Sequence, residues 1–149
     1  MKKAVILPLL ILSILIAIWT PAPDAQAASS ADTVINTGKK YIGTKYKYGG
    51  TTPNGFDCSG FVGYTFKKSV KKELARTASA MYSNGKSVKK AALKKGDLVF
   101  FSTYKRGASH VGIYVGSNQF IHASSSGVKI DSMNNVYWQP KYLGAKRYL

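Results

Sequence analysis

The feature that most constrains this chain is a change in the period of its apolar residues. Between Asp32 and Ser83 apolar side chains recur at helical intervals. After the turn signal Lys95-Gly96-Asp97 they alternate. Phe61, Val62, Thr65 and Phe66 fall at i, i+1, i+4 and i+5, one stripe of a helix over Cys58–Lys68. Asp32 to Tyr41 reads as an earlier helix with Asp32 as its N-cap, and Thr77–Ser83 as a short third one closed by Asn84-Gly85. Leu98-Val99-Phe100-Phe101 is a short buried run. Val111, Ile113 and Val115 alternate with His110, Gly112 and Tyr114, as a strand requires. Gly116-Ser117-Asn118 turns the chain into a second strand, Phe120–Ala123. Val128–Ile130 and Tyr142–Leu149 supply further strands. Helices first and an antiparallel sheet later is an α+β layout.

The N-terminus carries a separate signal. Lys2 and Lys3 precede an apolar run from Ala4 to Trp19, followed by Ala25-Gln26-Ala27. A basic start, an apolar middle and an Ala-x-Ala end read as a secretory signal peptide over residues 1–27, leaving one domain over 28–149. The chain of 149 residues has 22 Lys+Arg against 6 Asp+Glu, a formal charge of +16. Removing the leader leaves about +15. A secreted protein does not meet cytoplasmic nucleic acid, so the expected partners of this charge are anionic wall polymers or a membrane surface. Lysine pairs such as Lys39-Lys40, Lys67-Lys68 and Lys94-Lys95 are interleaved with apolar residues, as on solvated faces of ordered elements. Only three of the basic residues are Arg, which suits diffuse attraction better than base readout. One cysteine excludes a disulfide framework or a multi-Cys zinc site. Two histidines are few for a metal cage, so no metal and no cofactor are expected.

Chemistry gathers on that cysteine and those histidines. Asp57 stands where loop becomes helix and is well placed as an N-cap. Cys58 is then the first helical residue, where the positive end of the helix dipole favours thiolate. His110 and His122 lie on adjoining strands of one hairpin. They share a face if the turn has an odd number of residues or a bulge. The expectation is a loop of three or five residues with both imidazoles facing Cys58. His110 is then the base and His122 the residue that holds its far nitrogen.

These stretches also resemble a family. Tyr46-Lys47-Tyr48-Gly49-Gly50, Phe56-Asp57-Cys58-Ser59-Gly60-Phe61-Val62, Lys95-Gly96-Asp97-Leu98-Val99-Phe100-Phe101, Ser109-His110-Val111-Gly112-Ile113-Tyr114 and Phe120-Ile121-His122-Ala123 occur in the order found in the NlpC family of bacterial cell-wall endopeptidases. The resemblance implies a papain-like core of N-terminal helices packed on an antiparallel sheet. It implies cleavage of the γ-D-glutamyl–diamino acid amide of peptidoglycan stem peptides, with Cys-His-His roles on Cys58, His110 and His122. It further implies substrate contacts from Tyr46, Asp57, Ser59 and Arg76. In some relatives the pair flanking the cysteine receives a free amine of the stem peptide, and Arg76 matches a basic position able to pair a substrate carboxylate. Two other readings stay open: an amidase or acyltransferase on the same core, and a non-catalytic basic wall-binding protein.

Overall fold

The structure, a computed structural model, describes residues 17–149. Most of the apolar run read as the centre of a signal peptide lies outside the described residues. The first helix, α1 (Pro23–Lys39), starts nine residues before the expected Asp32 cap. Proline in the first turn loses no hydrogen bond there, Asp24 suits the helix dipole, and the alanines that follow have the highest helix propensity. Burial, however, is confined to Ala31, Val34, Ile35 and Gly38. The part that packs is the part whose spacing was legible; the preceding turns are helical by propensity alone.

A two-residue hairpin, β1 (Thr51–Thr52) and β2 (Gly55–Phe56), leads into α2 (Cys58–Val70). Phe61, Val62, Thr65 and Phe66 are buried, as the stripe requires, and Lys71 ends α2 in a left-handed conformation at φ 58°. Helix α3 (Ala78–Ser83) is capped by the Thr77 hydroxyl, which accepts from the Ala80 N–H. The sheet contains β3 (Lys86–Val88), β4 (Leu98–Phe101), β5 (His110–Gly116), β6 (Gln119–Ser124), β7 (Gly127–Ser132) and β8 (Tyr142–Arg147). Their order is β3-β8-β4-β5-β6-β7, with every neighbouring pair antiparallel. This is the α+β architecture expected. The edge strand β3 was not read from the sequence. It is three residues long, and two of them are exposed, so it has no apolar alternation to betray it.

The sheet is covered on both faces. Leu98 and Phe100 join Val111, Ile113, Ile121 and Ala123 in a core under the helices. Val99 and Phe101 point the other way, into a second core with Phe120, Met133, Trp138 and Ala145. The unbroken apolar run of β4 is therefore a period-two strand buried on both sides. The second core is closed by the chain between β7 and β8, which carries Trp138 across the sheet. Buried Asp97 ties the two ends together: it accepts from Arg147 at 2.7 and 2.8 Å and from the Lys94 N–H at 2.8 Å.

Candidate active site

The Cys58 end of the site is built locally. Asp57 accepts the Gly60 N–H at 2.7 Å and so caps α2, leaving Cys58 as its first residue. The loop before it comes so close that a side chain at Gly60 would stand 1.9 Å from the Gly50 carbonyl oxygen. Arg76 reaches back from beyond α2 and grips Asp57 with both nitrogens, at 3.1 and 2.6 Å, and also donates to the Ser59 hydroxyl at 2.9 Å. The second Asp57 oxygen accepts from the Gly49 N–H at 3.1 Å as well. Asp57, Ser59 and Arg76, expected to face substrate, are thus bonded chiefly to one another and to the loop that shapes the cleft. All three also line the cleft that Cys58 lines, and the Arg76 guanidinium stays partly exposed there.

The histidine end is built by the sheet. The β5–β6 turn is two residues, Ser117 and Asn118, both left-handed at φ 52° and 55°. The expected loop of three or five residues is therefore corrected. A bulge between Tyr114 and Gly116 supplies the odd residue instead, and register beyond it pairs Ile113 with Ile121. His110 and His122 are consequently diagonal neighbours on one face, with His110 Nε2 2.8 Å from His122 Nδ1. That face is the one away from the helices, against Trp138, which stacks on His110 at 5.0 Å and 26° and meets His122 edge-on at 5.0 Å. The expectation that both imidazoles face Cys58 therefore fails for His122, which the sheet buries. His110 opens at the strand end into the cleft that Cys58 lines, whereas His122 is fully buried behind it. Gly112 makes the packing achievable. A side chain there would meet Phe120 Cδ2 at 2.7 Å, the Ile121 carbonyl oxygen at 2.9 Å and His122 Cβ at 3.1 Å.

Three residues of this end were not singled out from the sequence. Asp131 Oδ2 lies 2.9 Å from His122 Nε2, 3.1 Å from Trp138 Nε1 and 3.2 Å from Lys129 Nζ. Strand pairing places Lys129 opposite His122, so Asp131 is one diagonal step along the same face. Register across the β6–β7 turn was the missing information. Trp138 lies outside any strand, so no periodicity marks it.

Cleft and burial set the charge states. The cleft, of about 1090 Å³, is lined by Cys58, His110, Tyr46, Tyr48, Tyr104 and Tyr137 among others. Tyr48 and Tyr104 are largely exposed at its rim. Burial raises the Tyr46 phenol pKa, and the neighbouring Cys58 charge raises it further. Burial also pushes the Cys58 thiol up, and the Val111 N–H that faces the sulfur does not offset it. The dipole argument for a resting thiolate is thereby outweighed. Burial lowers His110 to about 3 and His122 to about 4, although Asp131 pulls both upward. Burial thus pushes both Cys58 and His110 toward their neutral forms. His110 is bonded to His122 through Nε2, which leaves Nδ1 as the ring nitrogen that His122 does not engage. No cluster of three His, Cys, Asp or Glu able to hold a metal ion occurs among the described residues.

Comparison with known proteins places these residues in a wider set. The sequence profile of the NlpC/P60 family matches residues 43–147, a span containing Cys58 and both histidines. The chain is similar to the probable peptidoglycan endopeptidase LytE of Bacillus subtilis (strain 168), 53% identical over 116 residues, covering 77% of this chain and 34% of that protein. It is similar to the murein DD-endopeptidase MepS/murein LD-carboxypeptidase of Escherichia coli (strain K12), 50% identical over 108 residues, covering 72% and 57%. It is also similar to the gamma-DL-glutamyl hydrolase of Bacillus subtilis (strain 168), 42% identical over 127 residues, covering 83% and 31%. The chain thus spans between a third and just over half of the two first-named relatives. The crystal structure of an NlpC/P60 family protein from Bacillus cereus ATCC 10987 superposes with a TM-score of 0.75 at 38% identity, covering 89% of this chain and 42% of that one.

Proposed function

The chain belongs to the NlpC/P60 family, and from that premise we propose that it is a peptidoglycan hydrolase cleaving the γ-D-glutamyl–diamino acid amide of stem peptides by cysteine catalysis. One observation carries the reading: Cys58, at the head of a capped helix, shares an open cleft with His110, whose far nitrogen is tied to a buried His122. His110 Nδ1 takes the thiol proton as sulfur attacks the amide carbonyl. The same proton passes to the leaving amine when the C–N bond breaks, leaving a thioester. His110 then deprotonates a water that attacks the thioester, releasing the carboxylate and restoring the thiol. The Tyr46 hydroxyl, close to the sulfur, is placed to contact the oxyanion or the substrate.

Because the resting thiol is neutral, proton transfer accompanies attack, and activity depends on an unprotonated His110. Names of the relatives support different bonds, from gamma-DL-glutamyl to DD, so the bond is what the experiment must read. Purified sacculi digested with the wild-type chain are analysed by mass spectrometry. The expected product is a new γ-D-glutamyl carboxyl terminus, absent with Cys58→Ala, which keeps the wild-type circular dichroism. A new terminus at the sugar–peptide bond assigns an amidase instead. Retained hydrolysis by Cys58→Ala refutes cysteine catalysis.

Location follows the same reading. Residues 1–27 act as an export signal and 28–149 as the catalytic domain, secreted to the cell wall or the extracellular space. The paired lysines Lys39-Lys40, Lys67-Lys68, Lys71-Lys72, Lys89-Lys90 and Lys94-Lys95 are all exposed. They hold the enzyme on anionic wall polymers or a membrane surface. Adsorption to purified walls drops steeply between low salt and about 0.5 M, where charge is screened within a few Å. Salt-insensitive adsorption contradicts the electrostatic account.

A further inference from the structure

We propose that Asp131 is a positioning residue that gives the bonded histidine pair one direction, so that the nitrogen His110 offers to Cys58 is a base. The inference rests on the hydrolase reading and deepens it. Two hydrogen-bonded imidazoles are ambiguous by themselves, since each neutral ring has one N–H and one lone pair. If His110 Nε2 donates to His122 Nδ1, then His110 Nδ1 is bare and can accept the thiol proton. If His122 donates instead, His110 keeps its hydrogen on Nδ1 and presents an N–H to the sulfur. Only the first arrangement has a base in the cleft.

Asp131 breaks the tie. A carboxylate accepts and does not donate, so the 2.9 Å contact with its Oδ2 puts a hydrogen on His122 Nε2. A neutral His122 is then bare at Nδ1 and accepts from His110 Nε2, which leaves His110 Nδ1 bare. Three donors converge on the one oxygen: His122 Nε2, Trp138 Nε1 and Lys129 Nζ. Burial opposes the negative charge, but the hydrogen bonds from His122 and Lys129 outweigh it and hold Asp131 below its ordinary range, so it stays an acceptor. The titratable groups facing His122 are His110 from β5 and Asp131 and Lys129 from β7. Trp138 covers them with a neutral ring. The order Asp131–His122–His110–Cys58 thus runs from a mostly covered anion, through a fully buried ring, to the cleft.

Imidazole ¹⁵N shifts of the labelled full chain at neutral pH report which nitrogen of each ring carries the hydrogen, with no substrate present. The expected spectrum has both His122 and His110 protonated at Nε2 and bare at Nδ1. In Asp131→Asn the amide oxygen takes the place of Oδ2, because Trp138 and Lys129 demand an acceptor there, and the tautomers persist. In Asp131→Leu the acceptor is gone. The two tautomers then mix, and kcat falls about 10–100-fold with little change in KM. A wild-type spectrum with His122 protonated at Nδ1 overturns the proposal, and this readout survives even if Asp131→Leu fails to fold. So does an Asp131→Leu variant with wild-type shifts and kcat. Hydrolysis retained by Cys58→Ala refutes cysteine catalysis without altering the ¹⁵N result, so the two failures are distinguishable.

Discussion

The two halves of the cleft are held by different physics. On the Cys58 side, a capping carboxylate, a two-pronged arginine and backbone N–H groups meet within a few residues of the nucleophile. Much of that network is open to water, with the Arg76 side chain 46% exposed. On the His110 side, two rings sit in an aromatic box of Phe101, Phe120 and Trp138, with His122 wholly buried. The first half is a polar clamp that positions a backbone. The second is a packed core that positions side chains and keeps them uncharged. Putting each under cover pushes both the Cys58 thiol and the His110 imidazole toward their neutral forms at the cleft they share.

This contrast can be broken from the packed side with the largest effect. Both histidines are uncharged in the folded state down to about 3 and 4, whereas an unfolded histidine protonates near 6.5. Below pH about 6.5 the unfolded chain therefore binds more protons, and stability falls as pH falls. The loss is up to about 1.4 kcal/mol per pH unit for each histidine, down to pH about 4. Urea midpoints across that window measure the slope, and His122→Gln should remove about half of this histidine contribution. An unchanged slope contradicts neutral burial.

A smaller break comes from crowding the same core. Gly112→Ala places a methyl 2.7 Å from the Phe120 ring and 3.1 Å from His122 Cβ. It should cost about 1–3 kcal/mol and lower kcat by shifting His122. Full stability together with full kcat would show that this face yields easily. The smallest effect is expected on the polar side. Asp57→Ala removes the cap of α2 and leaves Arg76 unpaired, for a loss of about 1–2 kcal/mol read by denaturant midpoint. Because the clamp is partly solvated, water replaces some of what is lost. A loss as large as that from the packed face would show that the clamp is a core element after all.

The same contrast governs what was readable in advance. Asp57 as cap and Cys58 as first helical residue depend on contacts three residues apart, so local spacing showed both. The α2 stripe was equally local. Helix α1 was misplaced at its start because alanines propagate a helix without burying anything, leaving no apolar period to see. The mutual bonding of Asp57, Ser59 and Arg76 was not readable in the sequence. Arg76 lies 19 residues from Asp57, and nothing in the intervening sequence says that the chain returns.

By itself the sequence determined the segregation of helices from strands, the capped cysteine and the placing of two histidines on adjoining strands of one hairpin. Periodicity, capping and turn residues are properties of neighbours along the chain. Tertiary structure alone decided that the odd residue is a bulge and not a longer loop, that His122 lies behind His110, and that Asp131 and Trp138 complete the box. These depend on register between strands and on what covers a sheet. Register is set by the sum of side-chain packing across the sheet, which no single segment contains.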